Sequence, residues 1–198
     1  MQLFQNYELR GKNQVLAFNS QLNVGLRILD ATKNSNEPDS RFFYWLGQGQ
    51  WVRQLSKNTF LVVGADLQLS PSHLVPKEKF GLGVYQSVRT YRQDTRLTDN
   101  KALGTLELRL PVPWISGKNR LFQVVPFIDG GVAWNSDGKE VEGSKALAAA
   151  GVGLQVNLWE KINMRLDYGI PLMDVNSLDK TAQEEGFYFS FSTTPFSF

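Results

Sequence analysis

Few side chains in this chain are equipped for covalent chemistry. It has one histidine, His73, and no cysteine. A thiol nucleophile, a disulfide framework and a cysteine- or histidine-rich metal cluster are therefore excluded. His73 stands between Pro71 and Pro76 with no serine and aspartate on a shared face, so a hydrolytic triad lacks its parts. It is expected as a surface residue. Gly81-Leu82-Gly83 is followed by no helix and makes no phosphate cradle. No catalytic group, metal or cofactor is expected, and the chain is read as a non-enzyme. What remains is ionic chemistry, concentrated in one segment, 70–101, where Arg89, Arg92 and Arg96 are interleaved with Phe80, Leu82, Val84, Tyr85, Val88 and Tyr91.

At roughly thirty residues this segment is far longer than ordinary β-connections, and loops of that length are functional or disordered. Disordered segments lack aromatic and branched apolar residues. This one is rich in both, so it is expected to fold back onto something. Asp94, Asp99, Arg92 and Arg96 read as charges at its rim.

The elements that must position this loop show period two almost everywhere. In 14–29, Leu16, Phe18, Leu22, Val24, Leu26 and Ile28 oppose Asn19, Gln21, Asn23 and Arg27. In 59–69, Leu61, Val63, Leu67 and Leu69 oppose Gly64, Asp66 and Gln68. In 102–110, Leu106, Leu108 and Leu110 oppose Thr105, Glu107 and Arg109. In 121–134, Phe122, Val124, Ile128 and Val132 oppose Gln123, Phe127, Asp129 and Gly131. In 146–158, Val152, Leu154 and Val156 oppose Gly151, Gly153, Gln155 and Asn157. In 162–170, Ile162, Met164, Leu166 and Tyr168 oppose Asn163, Arg165, Asp167 and Gly169. Three less regular segments, 2–9, 42–55 and 187–198, complete about nine strands, with a bulge expected near Pro195 to reconcile the phases of the last.

Tight turns at 11–13, 56–58 and 159–161, with a longer one at 111–120, alternate with long polar connections at 31–41, 70–101, 135–145 and 171–186. Short turns on one rim and long loops on the other, joined by strands of ~9 to 11 residues, mark a transmembrane β-barrel. The aromatic run from Phe42 to Trp45, with Trp51 at the far end of its segment, suits interfacial girdles; core aromatics of a soluble β-protein are the alternative. No apolar run is long enough for a membrane helix, and no signal peptide is visible at the N-terminus. The net charge of +2 offers no basic patch, so nucleic acid is not an expected partner.

The run Phe80 to Arg92, the following Gln93 to Asn100 and the strand Leu106-Glu107-Leu108-Arg109-Leu110-Pro111 resemble the C-terminal barrel of two-partner secretion transporters. These are the haemolysin-activator and haemagglutinin-exporter proteins of Gram-negative outer membranes, here most similar to cyanobacterial members. Phe127-Ile128-Asp129-Gly130-Gly131 fits that family's strand motif, and the aromatic end at Phe198 is similar to a barrel insertion signal. The resemblance runs over essentially the whole chain and implies all-β architecture: about nine C-terminal strands of a barrel of about sixteen. It implies that the loop enters the lumen with the tip Val88, Arg89, Thr90 and Tyr91 anchored on Phe127, Asp129 and Gly131, Arg89 pairing with Asp129. A solvated loop arginine and an ordinary lumen carboxylate are the alternative. Thr90 and Val84 stand where the family carries glycine. Phe196 and Phe198 would carry the insertion signal, read by the barrel assembly machinery.

The implied function is passage of an unfolded exoprotein across the outer membrane, with lipid around the wall. The periplasmic domains and first strands of the family are expected to lie outside this chain, making the rest of its own barrel a further partner. A barrel assembly factor of the same superfamily and a non-transporting cell-surface β-protein are the other readings.

Overall fold

An alternating strand can keep one face oily and the other polar only by pairing edge to edge with strands in matching register. In the computed structural model, which describes residues 1–25, 42–81, 88–89, 97–117, 120–138, 145–159, 161–173 and 186–193, the chain does this throughout. The strands are β1 (Gln2–Arg10), β2 (Gln14–Val24), β3 (Phe43–Ser56), β4 (Thr59–Leu69), β5 (Phe80–Gly81), β6 (Leu97–Thr98), β7 (Asn100–Pro111), β8 (Arg120–Trp134), β9 (Ala146–Leu158), β10 (Ile162–Pro171) and β11 (Phe187–Thr193). Nine of them form one sheet in the order β1-β2-β3-β4-β7-β8-β9-β10-β11, every neighbouring pair antiparallel. The sheet is open. Among the described residues β1 and β11 pair with no strand on their outer sides, and β1 is exposed at every position.

Register keeps the two faces apart. Leu106, Ile128, Val152, Leu154, Leu166, Ile170 and Phe189 all stand exposed on one face. Val125, Phe127, Asp129, Ala149, Gln155 and Asp167 are buried on the other. This is the reverse of a water-soluble sheet, whose apolar side chains face the core. No helix among the described residues is long and apolar enough to cross a membrane. The tight turn between β3 and β4 is made by Asn58 at φ 64, a left-handed conformation that asparagine accepts more readily than most residues.

The long connection has its own structure. Pro76–Glu78 forms a 3-10 turn, with proline at its first turn where a missing N–H costs nothing. β5 and β6 then pair antiparallel, Phe80 opposite Thr98 and Gly81 opposite Leu97. Asn100 and Lys101, assigned by alternation to the loop, instead open β7, because their partners Trp134 and Ala133 extend the β8 ladder that far. β2 closes at Val24, where the Val24 N–H donates to the Met1 carbonyl at 2.9 Å. Positions 26–29 and 194–198, included in expected strands, lie outside the described residues.

The core sits between the loop and the polar face. Val88 is buried against Leu103, Ala133, Leu147 and Ala149, with Phe80 packed beside them. Burying one such valine is worth ~1.5 to 3 kcal/mol.

Candidate functional site

The site begins with register. Across β7 and β8, Thr105 faces Asp129 and Glu107 faces Phe127. Period two sends all four side chains to the same face. The loop delivers Arg89 onto them. Its Nε donates to Asp129 Oδ2 at 2.6 Å and its Nη2 to Asp129 Oδ1 at 2.7 Å. The Arg89 backbone N–H adds a third contact to Asp129 Oδ2 at 3.2 Å. Thr105 Oγ1 donates to Asp129 Oδ1 at 2.7 Å. Such a fork matches the two lone-pair directions of a carboxylate, and each charge-assisted bond is worth ~1.5 to 3 kcal/mol net.

The remaining face of the guanidinium is also used. It lies over the Phe127 ring, 3.5 Å from the centroid, an arrangement that attracts a cation electrostatically. Nη1 donates to Glu107 Oε1 at 2.9 Å. Burial works against the Arg89 charge, but Asp129, Glu107 and Asp167 hold its pKa above the ordinary value. The loop arginine stays ionised.

Glu107 is the hub of a larger network. Arg109 Nη2 donates to its Oε2 at 3.2 Å, and Arg165 Nη2 to its Oε1 at 2.8 Å. Arg165 Nε also holds Asp167 at 2.8 Å. Three arginines and three carboxylates thus balance on one patch. Glu107 on β7 and Arg165 on β10 are three strand spacings apart, ~14 Å in a flat sheet. Their contact takes two long side chains and a clear path between. Gly153, opposite Asp167 in the register, leaves that path open: a Cβ there would overlap the Asp167 carboxylate and come within 3.5 Å of Arg165 Nε. A recess of about 490 Å³ opens beside the network, lined by Gln48, Gln50, Asp66, Arg89, Glu107 and Asp129 among others.

Of the residues singled out from the sequence, Val88, Arg89, Phe127, Asp129 and Gly131 come together here. Thr90, Tyr91, Phe196 and Phe198 lie outside the described residues, as do Val84, Arg92, Asp94 and Arg96. Gly131 matters for what it lacks. A Cβ would overlap a Leu103 methyl and crowd Val88 Cγ2 at 3.3 Å, so Val88 seats only against bare backbone. Gly131→Ala is expected to loosen the tip by ~1 to 3 kcal/mol, the range for overpacking. Trypsin cleavage after Arg89 in reconstituted vesicles measures it, rising roughly tenfold per 1.4 kcal/mol where cutting follows the open population.

Glu107, Arg165 and Asp167 were missed as partners. Their signal was present, since each falls on the polar phase of its strand. Two further expectations are corrected. Asp99 is fully buried, and His73 is no free surface residue: its Nδ1 lies 2.8 Å from Asp99 Oδ2 and its Nε2 3.1 Å from Lys79 Nζ.

Comparison with known proteins follows the same lines. A family model described as the Omp85 superfamily domain matches residues 20–194. Among solved structures, CdiB from Escherichia coli is similar with a TM-score of 0.75 and 18% sequence identity, over 96% of this chain and 35% of that one. At that identity the likeness is one of fold, and the chain spans little more than a third of the CdiB length. No curated protein matches the sequence.

Proposed function

The chain belongs to the Omp85 superfamily of outer-membrane proteins, and from that premise we propose that it forms wall and lumenal loop of a two-partner secretion pore. Its cargo is an unfolded, haemolysin- or haemagglutinin-like exoprotein. The observation that carries this reading is the Arg89 fork on Asp129: a loop from one rim is bound, by its tip, to the polar face of a sheet whose other face is oily. The likeness to CdiB, a two-partner secretion transporter, supports the same class.

In this reading the apolar face meets lipid and the polar face lines the conduit. Val88, Arg89, Thr90 and Tyr91 form the lumenal tip, and Phe127, Asp129 and Gly131 its seat. Phe196 and Phe198 present the insertion signal to the assembly machinery. Open sheet edges cannot face hydrocarbon unpaired, so β1 and β11 meet further strands of the same barrel.

Deleting the native gene tests it. Expected is loss of one large repetitive exoprotein from the cell surface, with other outer-membrane barrels at normal abundance. A general fall in those barrels would instead identify an assembly factor, and no change in either a non-transporting surface protein.

A further inference from the structure

The loop meets the sheet a second time, at its root, and the chemistry repeats that of the tip. Asp99, between β6 and β7, is fully buried. Its Oδ1 accepts the Leu74 backbone N–H at 2.9 Å, and its Oδ2 accepts the Ser136 N–H at 3.1 Å from the turn beyond β8. Two basic side chains of the ascending arm complete the shell, His73 at 2.8 Å and Lys79 at 3.5 Å. Asp137 stands 3.7 Å from the same His73 nitrogen. With Nδ1 donating to the carboxylate, His73 Nε2 is left to accept from Lys79 at 3.1 Å.

Polar bonds around this carboxylate tie three rim segments together. Ser136 Oγ donates to the Ser70 carbonyl at 2.7 Å, and Asn100 Nδ2 to Ser136 Oγ at 2.8 Å. Asn100 Oδ1 accepts the Ser70 N–H at 2.7 Å. Gln68 Nε2 reaches the Asp99 carbonyl at 3.1 Å, and Tyr44 donates to Glu78 at 2.6 Å. Among the described residues, none of the bonds above reaches a side chain of the Arg89 network.

We propose that Asp99 is a second, separate mount for the loop, a positioning residue that locks its root to the rim independently of the hold of Asp129 on Arg89. Each mount is a buried carboxylate that takes a backbone N–H and a basic side chain from the loop, yet the two share no group. The inference rests on the reading of the sheet as a transport wall with a lumenal loop, and gives that loop a second attachment at its root.

Asp99→Asn isolates the mount at nearly constant shape. Both carboxylate oxygens receive backbone N–H groups, and an amide keeps only one acceptor, so one N–H must face an NH₂. The native product, in lipid vesicles, would carry a nitroxide on Ser72→Cys at the root or Ser87→Cys beside the tip; this chain has no cysteine of its own to interfere. Expected is a several-fold rise in the mobile fraction at position 72 for Asp99→Asn, a smaller rise for the milder His73→Gln, and little change at 87 in either. Arg89→Ala should do the reverse, freeing 87 and leaving 72 slow. A general loosening of the fold would mobilise both labels in every variant and overturn the proposal. So would an unchanged label at 72 in Asp99→Asn and His73→Gln. The line shapes do not depend on transport, so a protein that secretes nothing yet behaves this way refutes the function and leaves the mount standing.

Discussion

Replacing Asp129 by alanine is expected to release the loop tip at a cost of ~3 to 5 kcal/mol, the range for a buried ion pair broken from one side. The magnitude follows from burial. The Asp129 side chain is 3% exposed and that of Arg89 12%, so the abandoned guanidinium has little water to turn to. Glu107 and Thr105 remain within reach of it and hold the loss to that range. Arg89→Ala leaves the opposite defect, a buried carboxylate bonded only to Thr105 Oγ1 and the loop backbone. Because the pair acts as one unit, the double variant should cost little more than either single change. Labelling of Val88→Cys, at a position buried when the loop is seated, by a water-soluble maleimide in vesicles reads the open population directly. Strictly additive losses around the cycle would show that Arg89 and Asp129 act separately.

Glu107→Gln is the second large effect, and it reaches further than the tip. Gln has nearly the shape of Glu but one acceptor where three arginines converge, and its NH₂ turns toward a guanidinium. Three cations then share the two carboxylates of Asp129 and Asp167. The expected loss is again ~3 to 5 kcal/mol, now divided between tip attachment and the tie from β7 to β10. Two readouts separate the parts: maleimide labelling of Val88→Cys for the tip, and the temperature at which the barrel loses its compact migration on unboiled gels for the wall. A change confined to labelling would mean that the Arg165 to Glu107 contact adds nothing to the wall beyond the ladders that already join β7 to β10.

Alternation made the faces legible because side-chain direction in a strand depends on parity and nothing else. Thus Asp129, Glu107, Arg165 and Asp167 could all be assigned to the polar phase from sequence. Joining them could not be done that way. The Glu107 to Arg165 contact depends on stagger summed over three ladders and on the space above Gly153, neither of which is a local property. Arg89 and Asp129 entered as a pair only through the family resemblance. The root of the loop was least legible. His73 and Asp99 lie in aperiodic chain, where parity gives no direction, and charged residues in a long polar connection read as solvated until a fold buries one.

The topology also sets an order of assembly. Every strand of the large sheet pairs only with its neighbours along that sheet, so the wall can grow hairpin by hairpin from contacts close in sequence. The longest connection asks most of the chain. β4 must find β7 across the thirty residues from Ser70 to Asp99, and relative to the shortest turns this closure costs ~2 kcal/mol more in chain entropy. The β4 to β7 junction is therefore the closure of the sheet that costs most in chain entropy. The bonds from Ser70 to Asn100 and from Leu74 to Asp99 sit at the foot of that closure, so they bridge the two ends of the loop where the β4 to β7 ladder begins.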